Sequence, residues 1–198
     1  MNCVSPLVGG HTGKAVLIPI SAIGEESNQV TVGSDGNGTV QFGVLPPSTS
    51  PQILVGVDNA MMVTPFDGSQ TAGSGDDGFP KFTKTFAFRI PERGADVSAK
   101  VIDPLVKGGR FIAVLEKEQK VGDGGFEVVG FENSLRVVDP STVVRQETAN
   151  GGAWSATLQC SESRAEYVLG VDDAAPSALD YDSVKAEFDR LWAGCMNV

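Results

Sequence analysis

The chain has a single histidine and only three cysteines in 198 residues. Cys3, Cys160 and Cys195 are odd in number and far apart, so they draw no disulfide framework and no zinc-ligand spacing. Reduced thiols are expected. His11 has no neighbour in sequence to complete a nucleophile–base arrangement, and there is no GxSxG elbow. Cationic residues are also scarce, 15 Lys and Arg against 25 Asp and Glu, for a formal net charge of −10. Nucleic-acid binders gain affinity by placing cations on phosphates. This balance argues against tight binding and suits a soluble surface past which nucleic acid can move. No apolar run approaches the roughly 18–20 residues of a membrane span. The first residues lack the basic start and apolar stretch of a signal peptide, so synthesis and folding in a cytosol, with no membrane partner, are expected.

What is abundant is glycine, 24 residues, beside 11 prolines and an apolar fraction of 41%. Short apolar runs punctuated by turn residues point to a mainly β, α+β chain with one core. Strands are expected at Lys14–Ile20, Gln29–Val32 and Thr39–Leu45, in ILVGV and AMMVTPF, and at Ala153–Cys160 and Glu166–Val171. Lys81–Ile90 alternates most clearly. Phe82, Phe86 and Phe88 share one face with Lys84, and Thr83, Thr85 and Ala87 lie opposite. RFIAVLEKEQKVGDGGFEVVGFENSLRVV, residues 110–138, reads as a hairpin of two strong strands about an acidic glycine-rich turn. Residues 67–78, DGSQTAGSGDDG, have no apolar anchor and read as a flexible loop.

Two segments change period. Val97, Val101 and Leu105, with Ile102 and Val106 alongside, form a helical stripe over about residues 95–107; Pro104 is expected to kink or end it. Val184, Phe188, Leu191 and Trp192 share one face of an expected helix over Tyr181–Ala193, with acids near its start and Gly194 after its end. That face can pack on its own domain or on a neighbouring subunit. The organisation expected is an N-terminal arm, 1–13, a β-rich domain, 14–171, and a C-terminal arm with the amphipathic helix, 172–198.

The motifs that carry chemistry fail one by one. GGHTGK lacks the phosphate-loop pattern, with Val8 where its first glycine belongs and Ala15 where it needs Ser or Thr. A calcium loop starting at Asp35, with Asn37 and Thr39, has Val40 and Pro46 where Gly and Glu are required. Asp76, Asp77, Asp123, Asp172 and Asp173 read as solvated turn acids. Glu116, Glu118, Glu127 and Glu132 are the candidates for a glycosidase carboxylate pair, but beside Lys117 and Arg136 cross-strand ion pairing is the ordinary role. Trp154 and Trp192 fall within packing patterns. No catalytic, cofactor or metal residue is assigned.

The order of elements from the expected helix onward carries a resemblance. A glycine-ended helix precedes RFIAVLEKE, then an F-x-x-x-G strand, Phe126–Gly130, and an "N-G/S-L" turn, Asn133–Leu135. A later N-G-aromatic strand, Asn150–Leu158, precedes a closing strand. With the opening LVGGHTGKAVLIPI, this resembles the tail-tube-type virion proteins of tailed bacteriophages. Ser134 departs from the commoner glycine of that turn, and residues 45–80 match nothing in the pattern.

The resemblance implies a β-sandwich or half-barrel with one packed helix, and no catalytic residue. It implies stacked homo-hexameric rings around a DNA conduit in the virion tail, with other tail proteins as partners and genomic DNA passing through without tight binding. Termini and a long loop make the contacts between rings. On this chain the expected assembly contacts are Asp67, Gly68, Gly75, Asp76, Asp77, Phe188 and Trp192. Two alternatives stand beside it: a head–tail connector, tail-terminator or capsid-decorating protein, and, from another class, a carbohydrate-binding or hydrolytic β-sandwich.

Overall fold

The computed structural model describes residues 11–23, 28–32, 38–42, 54–57, 61–63, 82–91, 98–118, 125–148, 151–164, 166–171, 181–193 and 195–196. The chain is mainly β. An eight-stranded sheet is ordered β12-β4-β1-β7-β8-β11-β3-β2. Its strands, in chain order, are β1 (His11–Pro19), β2 (Asn28–Val32), β3 (Gly38–Phe42), β4 (Leu54–Val57), β7 (Phe111–Lys117), β8 (Phe126–Val129), β11 (Tyr167–Leu169) and β12 (Cys195–Met196). A four-stranded sheet, ordered β5-β6-β10-β9, holds β5 (Met61–Val63), β6 (Phe82–Pro91), β9 (Val144–Thr148) and β10 (Gly151–Glu162). Pairing is antiparallel except for β11 with β3 and β12 with β4.

Residues Ala15–Ile18 of β1 and Phe111–Leu115 of β7 are apolar without interruption because both faces of these stretches are covered. Ala15, Leu17, Phe111, Ala113 and Leu115 point into the core between the sheets, against Phe86, Phe88 and Leu158. Val16, Ile18, Ile112 and Val114 point the other way and pack beneath Val184, Phe188 and Leu191. Those three come from α2 (Tyr181–Ala193), numbered after the short α1 (Asp103–Val106). The body thus has three layers: small sheet, large sheet, helix.

Several expectations are corrected. β1 begins at His11, inside the segment expected as an arm. Of the two packings open to the C-terminal helix, the one on its own domain is found: α2 lies on the large sheet, and Cys195–Met196 extends that sheet beside β4. The helix expected over 95–107 is a widened π turn, Ser98–Ile102, followed by a single α turn. Pro104 has no N–H, and its ring crowds the carbonyl four residues back, so a regular helix cannot run through it. Val101, Ile102 and Leu105 still reach the inter-sheet core, whereas Val106 is exposed. The turn ends in a Schellman motif: Gly109 N–H donates to Pro104 O and Gly108 N–H to Leu105 O, with Gly108 at φ +85°.

The second strand of the expected hairpin stops at Val129 rather than continuing toward Val138. Gly130, at φ +87°, turns the chain. A Cβ there would lie 2.8 Å from Leu135 N and 2.9 Å from Phe111 O, so only glycine fits.

Candidate functional site: a buried charge cluster and the join between sheets

The segment after Gly130 joins the two sheets. Leu135 exchanges backbone hydrogen bonds with Phe111 of the large sheet, at 2.8 and 2.9 Å. The next residue, Arg136, does the same with Gln159 of the small sheet, at 2.9 and 3.1 Å. Adjacent residues therefore bond to different sheets, and Leu135 is fully buried at the crossing. Side chains hold the turn in place. Glu162 Oε1 accepts from Gly130 N (2.8 Å) and Phe131 N (2.9 Å), and Asn133 Nδ2 donates to Ser161 O (2.7 Å). Glu132 accepts from Ser163 N, Ser163 Oγ and the Tyr167 hydroxyl.

Glu162 also belongs to a buried charge cluster. Lys84, on β6, has no exposed surface. Its Nζ lies 3.2 Å from Glu127 Oε1, on β8, and 2.8 Å from Glu162 Oε2, on β10; the second is an ion pair without good hydrogen-bond angles. Glu127 Oε2 in turn meets His11 Nε2 at 3.2 Å, at the start of β1. Two strands of each sheet contribute, so the cluster ties the sandwich together through charge. Burial is the largest single influence on Lys84 and acts to lower its pKa. The negative charges of Glu127 and Glu162, with the Glu127 hydrogen bond, together outweigh it and hold the ammonium above the ordinary lysine value. For Glu127, burial raises the pKa, but the His11 hydrogen bond and the Lys84 charge bring it below the usual carboxylate range.

His11 does therefore have a carboxylate partner that the sequence did not reveal. The neighbouring hydroxyl, Thr12 Oγ1, is engaged with Glu116 Oε2 at 3.0 Å. Cys160 and Cys195 are poor nucleophiles at neutral pH, because burial pushes each thiol up to about 12. Lys84 and Glu162 are fully buried in the sandwich, and Glu127 nearly so. The ion pairing expected for Glu127 with Lys117 or Arg136 is replaced by pairing across sheets. Lys117 instead meets Glu166. Among the described residues no group of three His, Cys, Asp or Glu is placed to hold a metal ion, and no helix is long and apolar enough to cross a membrane.

The expected assembly contacts fare differently from one another. Asp67, Gly68, Gly75, Asp76 and Asp77 lie outside the described residues. Phe188 is withdrawn as a surface contact. It is 3% exposed and stacks on Phe126 with ring centroids 4.8 Å apart, inside its own helix–sheet core. Trp192 is partly buried beside it, with Lys14 Nζ 5.5 Å from its ring centroid. The second tryptophan, Trp154, packs at the edge of the inter-sheet core.

Beside the join, an open recess of about 370 Å³ is lined by Arg110, Asn133, Ser134, Arg136 and Ser161, among others. It was not visible in the sequence, because its residues come from four separate stretches of chain.

No protein-family model, no curated protein and no solved structure matches the chain.

Proposed function

We propose that the chain is a structural virion protein, the major tail-tube subunit of a tailed bacteriophage, forming stacked homo-hexameric rings around a DNA conduit. The observation that carries this reading is the role taken by the tail-tube-like motif residues. Phe126 is fully buried under α2, Gly130 makes the left-handed turn, and Leu135 seals the join between the sheets. The motif is thus the architectural joint of a β-sandwich, which is what an assembly subunit must keep rigid.

Two further features support the reading. Among the described residues, β2 and β12 end the large sheet, and β5 and β9 end the small one. Cyclic head-to-tail contacts between copies would cover such edges, which otherwise invite uncontrolled pairing. A net charge of −10 per copy would let a duplex slide wherever acids line a lumen, the field being screened over about 8 Å at physiological salt.

Negative-stain electron microscopy of the purified protein at high concentration tests the proposal. Stacked tubes are expected. A monodisperse monomer with no rings or tubes overturns it. A single ring or a capsid-bound trimer would instead favour the connector, terminator or decoration role. Glycan hydrolysis lost on changing one acid pair would move the protein to another class.

A further inference from the structure

We infer that the recess beside the join is an oxyanion-binding site, recognising a carboxylate or phosphate group through Arg110 and Arg136. In a chain with 25 acidic and 15 basic residues, most arginines and lysines would be expected to find a carboxylate. Lys84, Lys107, Lys117, Lys185 and Arg190 do. Arg110 and Arg136 do not: among the described residues no carboxylate pairs with either guanidinium. Both line the same recess, and among the described residues no acidic one lines it with them.

The rest of the lining is rich in donors. Thr83, Ser134 and Ser161, each carrying a hydroxyl, line the same space, and Asn133 beside them is fixed by its bond to Ser161 O. A guanidinium presents a planar fork of N–H donors that matches a carboxylate or phosphate in two-point contact, with hydroxyls able to complete the oxyanion's shell.

The backbone under the site is pre-organised. Arg136 is pinned to Gln159 by a reciprocal pair of hydrogen bonds, and Arg110 O accepts from Ile20 N at 3.0 Å at the start of β7. Binding would therefore order side chains only, which limits its entropic cost. A volume of about 370 Å³ admits a small anion or the acidic side chain of another molecule. The two sources share the same chemistry, and the test separates them.

Inorganic phosphate and succinate are titrated separately into the full-length protein. Backbone and arginine Nε resonances are followed by NMR, and affinities are measured by calorimetry. Saturable binding is expected, with shifts centred on Arg110, Ser134, Arg136 and Ser161. R110A and R136A should each weaken it about tenfold or more, the scale of losing a charged hydrogen-bond partner. R136K, which keeps the charge but not the fork, should lose less, and R145A, outside the recess, should change nothing. Tighter phosphate binding identifies a free or nucleotide-borne phosphate as the natural source. Tighter succinate binding identifies a protein carboxylate. Equal responses of the wild type and the R110A/R136A variant, or shifts spread evenly over all arginines, overturn the inference. Both side chains are exposed, so the variants should keep the wild-type circular dichroism; if one does not, the wild-type shift map decides alone.

Discussion

Replacing Lys84 with methionine isolates the charge at the centre of the sandwich. Methionine keeps most of the buried aliphatic stem and removes only the ammonium. Glu127 and Glu162 then face each other across the inter-sheet space without their shared cation. Glu162 keeps two amide donors and Glu127 keeps His11. Removing one member of a buried ion pair costs about 3–5 kcal/mol, because the remaining charge stays desolvated. For a chain of this length, that corresponds to a fall of roughly 6–20 °C in Tm.

The pH dependence has a definite sign. Once the cation is gone, burial is opposed by His11 alone and the Glu127 pKa rises from its depressed value. The penalty in K84M is therefore largest at neutral pH and shrinks as pH falls and the carboxyl takes up a proton. Urea denaturation of both proteins, followed by tryptophan fluorescence between pH 5 and 8, measures the gap directly. Adding E127L to K84M should recover at least half of the loss, since an apolar replacement for a buried pair is often neutral or better. A gap under about 1 kcal/mol, the scale of an exposed pair, or one independent of pH, would refute the claim that this cluster is buried and coupled.

Three other outcomes are expected. G130A should lose about 1–3 kcal/mol from the left-handed backbone alone, and more from the contact with Leu135 N and Phe111 O; chemical denaturation would show it, and a neutral result would mean the turn adopts another geometry. F188A should cost about 3–5 kcal/mol, so any assembly defect should track its lowered Tm, whereas an assembly defect at unchanged Tm would return Phe188 to the subunit surface. In the wild type, the depressed pKa of Glu127 contributes stability above its unfolded value, near 4.5, that is lost as pH falls through the folded value. The raised pKa of Lys84 contributes stability below about 10.5 that is lost as pH rises through its folded value, so Tm against pH should show a plateau bounded on both sides by this cluster.

Local pattern made some elements legible and hid others. The helix Tyr181–Ala193 was readable residue for residue, because a 3.6-residue stripe, acids near its start and Gly194 agree with one another. The alternation of β6 put Lys84 among phenylalanines, and that was the one signal of the charge cluster. Its partners were not readable, because Glu127 and Glu162 meet it only through long-range pairing of β6 with β10 and packing of one sheet on the other. β9 and β12 were missed for a different reason: a polar edge strand and a two-residue strand carry no apolar period. FEVVGFENSLRVV looked continuous because the turn at Gly130 is set by the chain folding back so that Leu135 pairs with Phe111, a residue of the preceding strand outside this segment. The recess could not be read either, since what singles out Arg110 and Arg136 is that no acid among the described residues pairs with them in three dimensions.

The central position of β1 has a consequence for how the chain is made. This strand leaves the ribosome early, yet its register partners on β7 come about 100 residues later, a wait of roughly 5–20 s at ordinary elongation rates. Until then the edge of Ala15–Ile18 that meets β7 stays unpaired, although β4 emerges earlier to cover the other edge. Folding is therefore expected to be slow, in keeping with the non-local contacts that dominate β topologies. The vulnerable species is the nascent chain rather than the finished subunit, so yield at high expression should depend more on chaperone supply than on the stability of the folded protein.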